Sequence, residues 1–221
     1  MPSRLRPTTS VAAEAILVGD PGRALMLAQE LLEQPKMCNH ARGLWGYSGR
    51  TPEGRELTVQ STGMGGPSAA LVLADLAKLG VQRAIRVGTC VALDPGLRPG
   101  EQLLVTEAHA WGGPDGGSGE AMHPDSGLSA RLQTTLAQAA RPGTVASLDT
   151  LPGDDTKPPV EGGDAADMQT AALFSRGRSL GIALAAVLVV VESTDGEKLG
   201  DEGLELAAKR AGQAATRALS A

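Results

Sequence analysis

Residues 15–34 read AILVGDPGRALMLAQELLEQ, and this stretch decides the fold class. Ala15 to Val18 is a short apolar run suited to a buried strand. Gly19-Asp20-Pro21-Gly22 is a turn. From Arg23 onward, Leu25, Leu27, Ala28, Leu31 and Leu32 recur at near-helical spacing. Strand, turn and helix make one α/β unit, and the rest of the chain repeats the theme. Leu44 to Ser48 and Glu56 to Ser61 flank a turn segment and predict a hairpin. SAALVLADLAKLG, residues 68–80, reads as an apolar helix ended by Gly80. AIRVGT, residues 84–89, and Leu103 to Ala110 read as strands. Residues 112 to 127 read as a long surface loop. Ser129 to Ala140 reads as a helix closed by Arg141-Pro142-Gly143, and Thr144 to Leu148 as a strand. Residues 151 to 165 are turn-forming, and Asp167 to Leu180 is helical in period. Ile182 to Val191 is a continuous apolar run, expected as a central strand buried on both faces. Glu202 to Ala218 reads as a closing amphipathic helix. Alternation of this kind predicts an α/β domain with a largely parallel sheet and helices on both faces. No repeat or linker divides the chain, so residues 1–221 are read as one domain, with the glycine-rich stretches at 112–119 and 161–163 as insertions.

Composition narrows the function. The chain has 221 residues, a net charge of −5 and 20% charged residues. That balance argues against a general nucleic-acid binder, which needs clustered Lys and Arg. No apolar run approaches the length of a membrane span, and the N-terminus lacks a signal-like apolar core. Cys38 and Cys90 form no disulfide framework and fit no metal spacing, so a reducing cytoplasm is expected. Aromatics are only 2% of the chain, so the core must come from Ala, Leu and Val. The 29 glycines and 14 prolines are spread along the chain and read as many tight turns.

In open α/β sheets, ligands bind at the carboxyl ends of strands. Three segments put unusual residues there. Gly19-Asp20-Pro21-Gly22-Arg23 offers backbone amides and an arginine at a helix start. Arg86-Val87-Gly88-Thr89 offers an arginine and a hydroxyl. Thr62-Gly63-Met64-Gly65-Gly66-Pro67 is a glycine-rich strand-to-helix turn. Backbone amides, guanidinium donors and a hydroxyl are what a phosphate requires. Each segment also has a plainer reading: an ordinary turn with a solvated arginine for the first, a turn needing positive φ for the third. Arg86 is harder to set aside, because it interrupts an apolar strand and a buried arginine needs an anionic partner.

Taken in order, Gly19-Asp20-Pro21-Gly22-Arg23, Asn39-His40-Ala41-Arg42-Gly43, Ser61-Thr62-Gly63-Met64-Gly65-Gly66-Pro67-Ser68 and Ile85-Arg86-Val87-Gly88-Thr89 resemble the nucleoside phosphorylase family, in its hexameric purine nucleoside and uridine phosphorylase branch. The resemblance covers about residues 15 to 110, and a weaker match returns at Asp167-Met168-Gln169-Thr170-Ala171-Ala172. It implies a three-layer α/β/α sandwich with a mixed, barrel-like central sheet. It implies reversible phosphorolysis of a nucleoside, with inorganic phosphate as co-substrate and no cofactor or metal. It implies phosphate binding by Gly19, Arg23, Arg86 and Thr89, with Arg42 reaching a neighbouring subunit's site. That in turn implies a homo-oligomer, a hexamer built from dimers. Gly63, Met64, Gly65, Asp167, Met168 and Gln169 would line the nucleoside, and Arg86 would act on the catalysed step by orienting phosphate.

The sequence also departs from the pattern. The family's ribose-gripping Glu falls on Gln169, which lacks a charge-assisted bond to a hydroxyl, and the preceding Glu falls on Asp167, one methylene shorter. The stretch Leu151 to Thr156 places Asp154 and Thr156 where uridine phosphorylases carry a Gln and an Arg. The base-side acid is Glu192 by ungapped spacing or Asp195 by its Ser-x-Asp context. Either acts as an acid only with a raised pKa, and either could instead be a helix cap or a solvated acid. The family's N-terminal His has no counterpart. The alternative to a phosphorylase is a non-catalytic paralogue that binds phosphate or a phosphorylated sugar.

Overall fold

Our structure, a computed structural model, describes residues 4–111, 118–149 and 163–220. The chain runs through β1 (Glu14–Val18), α1 (Pro21–Leu31), β2 (Glu33–Asn39), a 3-10 turn (Ala41–Gly43), β3 (Gly46–Arg50), β4 (Glu56–Ser61), α2 (Gly65–Lys78), β5 (Arg83–Ala92), β6 (Gln102–Trp111) and β7 (Ser118–Met122). It continues through α3 (Ser126–Leu136), a second 3-10 turn (Ala137–Ala139), β8 (Ala140–Leu148), β9 (Ala165–Asp167), α4 (Thr170–Leu180), β10 (Ala183–Glu192) and α5 (Asp201–Ser220).

Five strands close on themselves. β10 lies between β5, to which it is parallel, and β6, to which it is antiparallel. β6 is parallel to β8, β8 is parallel to β9, and β9 returns antiparallel to β5. From β5 the sheet extends outward through β1, β4, β3 and β2, while β7 pairs with β6. The sheet is therefore mixed and barrel-like, as the resemblance implies. It is not largely parallel, because the β2–β3–β4 meander and the β6–β7 pair add antiparallel ladders.

Side chains alternate along each strand with period two, and the alternation sorts the core into two layers. Ile16, Val18, Ile85, Val87, Ala185 and Val187 pack with residues of α1, α3 and α5. Ala15, Leu17, Ala84, Ala186, Leu188 and Val190 pack with residues of α2 and α4. Full burial of each Leu or Val contributes about 1.5–3 kcal/mol. Alanines form the buried face of α5, including Ala207, Ala211, Ala214, Ala215 and Ala218, so the helix lies close to the sheet without aromatic side chains. Counting by twos from Ala84 puts Arg86 on the α2–α4 face.

Several element boundaries differ from the sequence reading. β2 is absent from it, because Glu33-Gln34-Pro35-Lys36 has no apolar alternation and a proline is tolerated where a strand sits at an edge. Of the stretch read as a long loop, residues 118–127 hold β7, a short connection and the start of α3, and residues 112–117 lie outside the described residues. Asp125 starts α3 by accepting the Leu128 amide at 2.8 Å. Arg141-Pro142-Gly143 belongs to β8 rather than to a helix stop. Asp167 ends a strand, and α4 begins only at Thr170.

Candidate active site

Parallel strands that end at one sheet edge bring their loops together. β1 lies between β4 and β5, with Val18 opposite Ser61 and Leu17 opposite Arg86. The loops after β1 and β4 therefore open beside the carboxyl half of β5. A cavity of about 510 Å³ lies there. Gly19, Asp20, Pro21 and Arg23 form one wall, and Gly63, Met64 and Gly65 another. Arg86, Gly88 and Thr89 come from β5, while Asp167, Met168 and Gln169 come from the β9–α4 junction. The three segments singled out along the sequence meet at this cavity with the Asp167–Gln169 segment. A larger groove of about 790 Å³ lies at the β2–β3 edge, lined by Glu33, Lys36, Arg50 and Glu56 among others, and holds no residue of the predicted site.

Arg86 is 4% exposed, and the protein itself supplies the anionic partner that burial demands. Its Nη2 donates to Asp167 Oδ2 at 3.0 Å, its Nη1 to Gln169 Oε1 at 2.7 Å and its Nε to Thr170 Oγ1 at 3.1 Å. Those bonds use three of the five guanidinium N–H donors. One hydrogen on each terminal nitrogen is left for an anion in the cavity that Arg86 lines. Asp167 is saturated in turn. Ser147 Oγ donates to its Oδ1 at 2.5 Å, and the Thr170 amide and hydroxyl donate to its Oδ2 at 3.0 and 2.6 Å. Ser147 also accepts the Ala171 amide at 2.9 Å, so β8 and the start of α4 are locked to the same carboxylate.

Gly88 makes room for this arrangement. A Cβ at residue 88 would lie 2.6 Å from the Arg86 guanidinium carbon and 2.6 Å from Leu188 Cδ2. The guanidinium thus lies over a position where only hydrogen fits.

Arg23 adds a second guanidinium. Asp20 accepts the Arg23 amide at 2.7 Å and caps α1, so that amide is already engaged, and Pro21 at the first helical position has no N–H to offer. What this loop offers an anion is the Arg23 side chain together with the backbone at Gly19, both of which line the cavity. Burial lowers the Arg23 pKa, the Asp20 charge raises it in part, and the charge of Arg86 lowers it further. Asp20 and Asp167 line the same cavity and offset the two guanidinium charges, so its capacity for an anion rests on the free N–H donors.

The opposite wall is the glycine turn. Gly63 and Gly65 have φ of +72° and +79°, a left-handed backbone that favours glycine. Met64 caps α2 without any side-chain hydrogen bond, which leaves the helix's first amides open. Ser68 Oγ donates to Thr62 O at 2.6 Å and fixes the turn to the helix. Met64 is 84% exposed at the rim.

The structure does not bring every candidate together. Arg42 stands exposed at the Ala41–Gly43 turn with φ +61°, outside the cavity of its own chain. Buried Asn39 holds that strained turn: it donates to the carbonyls of Leu44 and Ala41 and accepts the Arg6 amide. Glu192 and Asp195 do not line the cavity either. Glu192 sits at the bulged end of β10, 3.5 Å from Lys198 Nζ. Asp195 is exposed in a turn where it accepts from Ser193 Oγ and the Glu197 amide. The Ser193 hydroxyl, then that amide, lowers the Asp195 pKa, the opposite of the shift that acid catalysis needs. Burial, with the Asp167 charge, pushes the Cys90 thiol up, which keeps it protonated. Asp154 and Thr156, with the rest of Leu151 to Thr156, lie outside the described residues.

Ser147 completes the network and escaped the sequence reading, while Thr62, Gly88 and Thr170 stand in its motifs but carry no role there. The spacing carries a signal for two of these roles. Thr170 stands three residues after Asp167, the spacing of an N-terminal carboxylate cap. Gly88 stands two after Arg86 on the same strand face. Among the described residues no group of three or more His, Cys, Asp or Glu is placed to hold a metal ion. No described helix is long and apolar enough to cross a membrane.

Comparison with known proteins supplies independent findings. The model of the phosphorylase superfamily matches residues 14–221. A purine nucleoside phosphorylase DeoD-type from Oceanobacillus iheyensis is 39% identical over 99 residues, which span 44% of this chain and 42% of that relative's length. One from Alkaliphilus metalliredigens is 30% identical over 206 residues, spanning 87% of this chain and 88% of the relative. Among solved structures, uridine phosphorylase from Vibrio fischeri ES114, complexed with 6-hydroxy-1-naphthoic acid, superposes with a TM-score of 0.79 at 23% identity, covering 95% of this chain and 92% of that one. At that identity the superposition establishes the fold.

Proposed function

The chain belongs to the phosphorylase superfamily, and from that premise we propose that it cleaves the N-glycosidic bond of a nucleoside with inorganic phosphate. The observation that carries this reading is the convergence of Arg23, Arg86 and Thr89 on one cavity whose other wall is Gly63-Met64-Gly65 and Met168. Arg23, Arg86, Thr89 and Gly19 hold the phosphate beside a sugar seated against the two methionines. A phosphate oxygen bonds to C1′ as the C1′–N bond breaks. The bonding pair leaves with the base, and the base takes up a proton. The sugar gains positive charge in the transition state, and the held phosphate faces it, which is electrostatic stabilisation of the kind that dominates such steps. Holding the two reactants together removes much of the entropic barrier of a two-body step. Asp167 and Gln169 act through Arg86 and the glycine turn, because their polar atoms are taken by protein partners. Water supplies the proton to the base in this reading, since Glu192 and Asp195 are engaged outside the cavity.

The reading extends to a homo-oligomer of dimers, a hexamer, in which Arg42 serves a neighbour's phosphate site, and to a cytoplasmic setting. It makes phosphate the co-substrate and uses no further cofactor. A second reading, binding of phosphate or a phosphorylated sugar without turnover, draws support from the lining: its buried carboxylate, Asp167, is fully engaged. The test is a panel of purine and pyrimidine nucleosides incubated with phosphate, followed by assay of free base and ribose 1-phosphate. Phosphate-dependent release of base supports phosphorolysis. Phosphate binding with no release from any nucleoside supports the second reading instead.

A further inference from the structure

Gln169 occupies an unusual place between the two halves of the cavity. It is 3% exposed and spends all of its hydrogen-bonding capacity on the protein. Its Oε1 accepts from Arg86 Nη1 at 2.7 Å and shares the single Thr62 hydroxyl hydrogen, at 3.1 Å, with Val18 O at 2.9 Å. Its Nε2 donates to Gly63 O at 2.6 Å and to Gly65 O at 3.3 Å. Reversing the amide would face an NH₂ group toward a guanidinium and an oxygen toward two carbonyls, so the partners settle its orientation. A carboxylate at this position could keep the bonds from Arg86 and Thr62 but could donate to neither glycine carbonyl. An amide is therefore the group that fits both neighbours, since one of its faces grips the phosphate-side arginine and the other grips the sugar-side turn.

We propose that Gln169 is a positioning residue that couples anion occupancy at Arg86 to the geometry of the Gly63–Gly65 turn. The proposal rests on the phosphorolysis reading for the identity of the two ligands. An anion on the free guanidinium hydrogens fixes the Arg86 plane. Through Oε1 that plane fixes the amide, and through Nε2 the amide fixes two glycine carbonyls that carry no side chains of their own. The turn, held at its two left-handed glycines by these bonds, is then set for the sugar. Binding of one ligand favours the other, and thermodynamic linkage makes the effect equal in both directions.

The experiment compares nucleoside dissociation constants with and without saturating sulfate, an unreactive tetrahedral anion, in the wild type, in Gln169→Met and in Gln169→Glu. Inosine and uridine serve as probes. The expected wild-type tightening is about fivefold or more, the lower end of ordinary coupling. It falls below about twofold in both variants. A purely structural role would lower the melting temperature and leave the coupling factor unchanged, and that result overturns the proposal. Hydrogen exchange on the wild type needs no variant to fold: phosphate should slow exchange of the Gly65 and Gly66 amides, and unchanged exchange with phosphate bound also overturns it. Wild-type protein that binds phosphate with protected turn amides, yet turns over no nucleoside, supports the coupling while contradicting phosphorolysis. Failure to bind phosphate at all contradicts both.

Discussion

Replacing Arg86 with methionine keeps most of its aliphatic volume and removes the guanidinium from a site where it is 4% exposed. Three internal bonds are lost together, to Asp167, Gln169 and Thr170. Breaking a buried ion pair by removing one partner costs about 3–5 kcal/mol, because the other charge is left uncompensated. Asp167 keeps donors from Ser147 Oγ and from the Thr170 amide and hydroxyl, which places the loss near the lower end, about 3 kcal/mol. For a chain of this size that corresponds to a fall in melting temperature of about 6–12 °C. Phosphate affinity should drop in parallel by about 1.5–3 kcal/mol, the scale of a hydrogen bond to a charged group, or roughly 10- to 150-fold in dissociation constant. Urea unfolding and calorimetric phosphate titration measure the two effects separately. The double variant Arg86→Met/Asp167→Asn should be more stable than the sum of the single losses by about 1 kcal/mol or more, since the residues touch. Additivity within about 0.5 kcal/mol, with phosphate affinity unchanged, would refute the claim that one guanidinium serves both the core and the anion.

Other outcomes follow from neighbouring features. Gly88→Ala drives a methyl into the Arg86 guanidinium and Leu188; calorimetry should show phosphate binding weakened at least about tenfold, with an overpacking loss of about 1–3 kcal/mol in urea unfolding. Asn39→Ala releases the Arg42 turn from its buried amide and should cost about 1–3 kcal/mol of stability, read by thermal melting. Asp195→Asn should leave kcat/KM for nucleoside within about threefold, whereas loss of a general acid costs about 100-fold or more. Its carboxylate has a lowered pKa in the fold, so its contribution to the Ser193–Glu197 turn is complete at neutral pH. That contribution is lost only as pH falls through the lowered value, below the ordinary 3.8; the Asp195→Asn and wild-type acid unfolding curves should therefore separate at neutral pH and converge at strongly acid pH.

Much of the fold was legible because the informative signals were local. AILV before GDPG, and a helical period after it, report a strand and a helix without reference to the rest of the chain. Elements whose burial depends on partners were not: β2 is polar along most of its length, and β9 is three residues whose pairing to β5 and β8 only the tertiary fold supplies. The site was legible in its parts for the same reason. Gly19, Arg23, Arg86 and Thr89 announce themselves by turn chemistry and by charge set in apolar surroundings. What sequence could not reveal is that Asp167 satisfies Arg86 across 81 residues of chain, or that Gln169 is consumed by the glycine turn. Glu192 and Asp195 illustrate the limit from the other side: carboxylates near a strand end look alike in sequence, and only their neighbours distinguish an acid from a turn stabiliser.

The central claim, that guanidinium groups distant in sequence gather around one inorganic anion, is tested most directly by a crystal structure of the protein soaked with phosphate and a nucleoside. The account predicts phosphate in the cavity, with oxygens within about 3 Å of Arg23, of the free Arg86 hydrogens and of the Thr89 hydroxyl, and sugar density against Met64 and Met168. Phosphate bound elsewhere, or a cavity left empty while Arg86 keeps only its internal partners, would contradict it.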